Sequence, residues 1–76
     1  MFFITNGENS IIAADEDFIQ KMKIDNLYEL MALNGRVNID EVSQKFNSDK
    51  LNADFEKTNI ISPLGKVNLF RLSEIT

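Results

Sequence analysis

Two short acidic runs, Asp15-Glu16-Asp17 and Asp40-Glu41, are the places in this 76-residue chain where neighbouring side chains could move a proton. Paired carboxylates can divide the general-acid and general-base roles between them. Histidine and cysteine are absent, so a nucleophile activated by an imidazole, or a thiolate, is not available. The acids also lack the twelve-residue spacing of a calcium loop. Each run precedes a stretch with helical apolar spacing, where a carboxylate accepts from free backbone N–H groups and favours the positive helix end. Capping therefore explains both runs without chemistry, and no catalytic or metal-binding residue is expected. Tyr28 could donate a hydrogen bond to a ligand, but on a short helix beside the core a surface or half-buried role accounts for it. Met1, Met22 and Met31 read as a first residue and two helix-face positions.

Twelve acidic against eight basic residues give a net charge of −4, and the basic residues are scattered singly. Phosphate backbones and anionic membrane surfaces attract clustered positive charge, so nucleic acid and membrane are disfavoured as partners. No apolar run approaches the roughly 20 residues that span a bilayer. The opening Met-Phe-Phe-Ile-Thr lacks a basic leader, and the absence of cysteine suits a reducing compartment. A cytoplasmic protein is the expectation.

The elements that would position any site begin with a hairpin. Phe2 to Thr5 and Ser10 to Ala14 suit strands, and the Asn6-Gly7 and Asn9 between them tolerate the positive φ of a tight reversal. Asp15 caps a helix carrying Phe18, Ile19 and Met22 on one stripe. Asp25 or Asn26 caps a second, with Leu27, Leu30 and Met31, which ends at Asn34-Gly35. From Val37 to Phe46 the pattern allows a third helix capped by Asp40, with Val42 and Phe46 four apart, or an extended stub at Val37 and Ile39. Leu51, Ala53 and Phe55 then alternate with Asn52, Asp54 and Glu56, a half-buried strand continued or followed by Thr58 to Ile61. Ser62-Pro63-Leu64-Gly65 predicts a turn before a last strand from Lys66 to Ile75.

That last strand carries apolar residues on both faces, Val67 and Leu69 on one and Phe70 and Leu72 on the other. A domain of this size buries only about 60% of its unfolded surface, and no disulfide or metal supplements the core. Self-association through the uncovered face is the expected remedy, with Phe2, Phe3, Phe70 and Leu72 as the candidate dimer or partner surface; alternation puts at least one of each pair in the core. The chain is one domain over residues 1–76, and a final strand without a polar tail suits the N-terminal part of a longer protein.

A strand, the Asn6-Gly7 turn, a strand from Ile11 to Ala14, a cap at Asp15 and Phe18 three residues on: this opening resembles a PAS domain, the sensory module of bacterial signalling proteins. Asp25-Asn26-Leu27-Tyr28-Glu29-Leu30 loosely matches the family's next helix start. The glycine usual between the first two helices is replaced by Lys23-Ile24, and the middle of the chain is short. The resemblance implies an α+β fold, an antiparallel sheet with short helices on one face. It also implies a non-enzymatic sensory or dimerisation module that passes a signal to an output domain or partner protein. Haem ligation would need histidine and a flavin–cysteinyl adduct would need cysteine, so no such cofactor is expected. The rival is a winged helix, with helices over Leu27 to Asn34, Asp40 to Phe46 and Ser48 to Lys57 and a wing at Pro63-Leu64-Gly65. Its would-be recognition helix is net negative, which suits a protein partner better than DNA. Residues 48 to 57 separate the two, extended in one and helical in the other.

Overall fold

Strict alternation over residues 51–56 is realised as the longest strand of the domain. In the computed structural model, which describes residues 1–75, Leu51, Ala53 and Phe55 are buried while Asn52, Asp54 and Glu56 are exposed. The two strands left open by the pattern are one, running unbroken from Asn52 to Ser62. The chain forms β1 (Phe2–Thr5), β2 (Ile11–Ala14), α1 (Glu16–Met22) and α2 (Leu27–Ala32), the last followed by a 3-10 turn at Leu33–Gly35. Four more strands follow: β3 (Asn38–Asp40), β4 (Lys45–Asn47), β5 (Asn52–Ser62) and β6 (Gly65–Glu74). All six make one antiparallel sheet in the order β2-β1-β6-β5-β4-β3. The protein is thus a small α+β domain, a curled antiparallel sheet with two short helices.

Local chemistry accounts for the joints. In the first hairpin the Asn6 side chain accepts from the backbone of Glu8 (2.9 Å) and Ser10 (3.0 Å). The left-handed position belongs to Asn9 (φ 64°) rather than to Gly7. Register slips between Ile4, opposite Ala13, and Thr5, opposite Ile11, so Ile12 is an extra residue bulged out of β2. At the far hairpin Gly65 takes φ 121°, a conformation a side chain would strain, and the Ser62 hydroxyl donates to the Gly65 carbonyl (2.8 Å). Asp15 caps α1, as its position predicts, and Asn26 rather than Asp25 caps α2, accepting from Glu29 N–H at 2.9 Å.

The third helix expected from Asp40 does not form. Asp40 ends β3, and its carboxylate accepts from the N–H groups of Val42 (3.0 Å) and Ser43 (3.3 Å) in a turn that Gln44 closes at φ 57°. Phe46 is then fully buried opposite Ala53, and Val42, its would-be helical neighbour, is 97% exposed. The extended stub at Ile39 is the alternative realised. Neither the second nor the third winged-helix element exists, because Asp40–Phe46 is strand and turn and the segment from Asn52 is strand. The Ser43 hydroxyl, followed by the backbone N–H groups of Ser43 and Val42, holds the Asp40 carboxyl below the usual aspartate range. A carboxyl depressed in the fold stabilises above its unfolded pKa and loses that contribution as pH falls through the folded value. An NMR titration should place Asp40 below the ordinary value of about 3.9, and Ser43→Ala should raise it; an unchanged midpoint in that variant would refute the assignment.

The core is aromatic and lies on the face that α1 covers. Phe3 is fully buried, its ring stacked on Phe70 with centroids 4.8 Å apart and packed against Phe18 (5.3 Å) and Phe46 (5.7 Å). Phe55 meets the Phe70 ring edge-on at 5.1 Å, and Met22, Leu30 and Leu33 close the periphery.

Candidate interaction surfaces

The acidic runs have structural occupations. Asp15 accepts from Phe18 N–H and Phe2 N–H and lies 4.0 Å from the Met1 ammonium, and Glu16 accepts from the Gln20 amide. Asp40 organises its turn, and Glu41 pairs with Lys57. Among the described residues no three His, Cys, Asp or Glu side chains converge as a metal would require. No described helix is long and apolar enough to cross a membrane. Tyr28 is 83% exposed on α2.

The four residues expected to form a partner surface separate onto the two faces of the sheet. Phe3, Phe70 and Leu72 are buried in the core of the single chain and are not available to a partner. The physical cause is register: Phe3 pairs with Phe70, Leu72 pairs with Phe55, and that face is the one beneath α1. Phe2, opposite Arg71, points the other way and is half-buried. Alternation correctly placed one phenylalanine of each neighbouring set inside, but parity alone does not say which face the helices will take.

The uncovered face bears a band in which Ile4, Ala13, Val67 and Leu69 are half-buried and Thr58 and Ile60 are exposed. Ala13, Ile4, Leu69 and Thr58 stand opposite one another across four strands, and Val67 stands opposite Ile60 one pair nearer the far hairpin. A shallow hollow of about 750 Å³ lies against Ile4, Ile12, Ala13, Val67 and Leu64. Ile12 is exposed by the bulge and Leu64 by the hairpin tip. These residues were visible in the alternation of β6, where Val67 and Leu69 form one set.

A second surface was not visible in the sequence. β4 reaches only as far along β5 as Asp54, so β5 from Glu56 to Ser62 has β6 on one side and no strand on the other among the described residues. All of its residues from Glu56 to Ile61 are exposed. Its two isoleucines are adjacent there, and Ile61 is 83% exposed. The signal would have been the mismatch between an eleven-residue β5 and a three-residue β4, which required Asp40–Phe46 to be known as strand and turn.

Compared with known proteins, the chain matches no family model, no curated protein and no solved structure.

Proposed function

We propose that the chain is a PAS-like, non-enzymatic sensory or dimerisation module of bacterial signal transduction, working in the cytoplasm as a homodimer and passing a signal to an output domain or partner protein. The observation that carries the reading is the extended backbone of Asn52–Ser62 behind a hairpin and two short helices, the arrangement the resemblance calls for and a winged helix does not. Two further features support it. The acidic side chains best placed for chemistry are engaged in caps and turns. The sheet leaves both an apolar face and an open strand edge, which is more unpaired surface than an independent monomer needs.

Sedimentation velocity over a concentration series tests the self-association on which the reading depends. A reversible monomer–dimer equilibrium is expected, tightening with concentration. A chain that sediments as a monomer throughout would remove the dimerisation module as its function.

A further inference from the structure

The backbone of β5 distinguishes its two sides by residue parity. In an antiparallel ladder each residue directs its N–H and C=O to one neighbouring strand, and successive residues alternate. The far hairpin closes on the Ser62–Gly65 pair, and Ile75 N–H donates to Asn52 C=O at the other end, so the even-numbered residues of β5 bond to β6. Odd-numbered residues face the opposite side: Ala53 stands against Phe46 of β4, and Phe55 N–H donates to Gln44 C=O at 3.0 Å. Beyond Phe55, Lys57, Asn59 and Ile61 direct their backbone groups into the open edge, and no backbone partner for them occurs among the described residues.

From this geometry we infer that the open edge of β5 is the homodimer interface, pairing antiparallel with the same edge of a second copy about a two-fold axis at Asn59. The inference rests on the self-association proposed above and names the surface that performs it. The choice of a second copy over a foreign strand comes from the register. With Asn59 facing Asn59, Lys57 faces Ile61 and Ile61 faces Lys57, so all three outward-bonding residues are used and each facing pair exchanges both backbone bonds. Shifting the register by two residues in either direction leaves one of the three without a facing partner from the same set.

Charge agrees with that register. Between Thr58 and Gly65 there is no charged residue, and the flanking Glu56 and Lys57 face Ser62 and Ile61 rather than one another or themselves. No like charges oppose, which is the condition an antiparallel pair must meet. The Lys57 ammonium is drawn to Glu41 and lies 5.8 Å from the Phe70 ring centroid, so it is held over its own domain. Lys57 is a charged guard at one end of the open edge, but from Thr58 to Ser62 the usual guards, a bulge, a proline or a charged side chain, are absent. Pairing places Ile60 beside Thr58 of the second copy, a β-branched match. A two-fold contact consumes the edge on both copies and so closes at two.

Asn59→Pro tests this directly. Proline at an odd position removes an N–H that points to the open side and leaves the bonds to β6 intact, a placement edge strands tolerate. Two interchain bonds are lost, one from each copy, and association should weaken by roughly tenfold or more. Ile61→Lys is the second variant, since it sets two lysines face to face while altering a side chain that is exposed in the monomer. Circular dichroism checks that both fold, and sedimentation reads association. In the wild-type chain, amide exchange at Lys57, Asn59 and Ile61 should slow as concentration rises, while Thr58 and Ile60, already bonded to β6, should change little. Dimers that persist unweakened in both folded variants, or amides at 57, 59 and 61 that ignore concentration in a dimerising sample, would overturn the edge while leaving self-association standing. Association that grows past the dimer would also overturn it, whereas a monomeric wild-type chain would overturn both readings together.

Discussion

Phe3→Ala is expected to cost about 3–5 kcal/mol, enough to leave much of the population unfolded at room temperature. The reason is position. Phe3 is fully buried on β1 and touches three other rings, Phe18 from α1, Phe70 from β6 and Phe46 from β4. Those contacts join the hairpin, the first helix and the far strands into one core, so the cavity left by truncation opens where β1, α1, β4 and β6 meet. A typical stability of 0.05–0.15 kcal/mol per residue gives a domain of this length about 4–11 kcal/mol in all. The loss is therefore comparable with the whole. Phe3→Leu, which keeps most of the volume, should cost distinctly less, and Val42→Ala, on a side chain 97% exposed, should stay within about 0.5 kcal/mol of wild type. Chemical denaturation of the three variants checks the order. If Phe3→Ala lost no more than Val42→Ala, the four-ring core would not be what holds the domain together.

The same core explains why part of the fold could be read from the chain and part could not. Alternation at Leu51, Ala53 and Phe55 encodes which side of a strand is buried, and the caps at Asp15 and Asn26 act within three residues, so both survive without tertiary knowledge. Asp40 is different. A carboxylate that accepts from the N–H groups two and three residues on looks the same whether a helix follows or only a turn. The decision lies with Phe46, which is fully buried against Phe3 and Phe18 and is recruited into the sheet by partners that stand far away in the sequence. Three of the four expected partner-surface residues, Phe3, Phe70 and Leu72, are buried for a related reason. Period two separates Phe2 from Phe3 and Leu69 from Phe70, but only the packing of α1 decides which set is covered. The open edge of β5 is less legible still, being a property of where β4 stops.

Asp15 carries the second large effect, and it is a test of how the helices are fastened to the sheet. Its Oδ1 accepts from Phe18 N–H at 3.1 Å, capping α1, and from Phe2 N–H at 3.1 Å, while its own N–H donates to Phe2 C=O at 3.1 Å. One side chain thus ties the first residue of β1 to the first turn of α1. Removing a cap costs about 0.5–2 kcal/mol, and the second backbone donor left without its acceptor adds about 1 kcal/mol. Asp15→Ala should therefore lose about 1.5–3 kcal/mol. Asp15→Asn keeps an oxygen in the same place and gives up the charge, which lies beside the N-terminal end of a short helix, worth about 0.3–1 kcal/mol, and 4.0 Å from the Met1 ammonium. Denaturation curves should rank wild type above Asn and Asn above Ala, and amide exchange at Phe2 and Phe18 should accelerate together in the alanine variant. Acceleration at Phe18 alone would mean that the side chain caps the helix without fastening β1, and equal losses in the two variants would assign the effect to charge rather than to the shared acceptor.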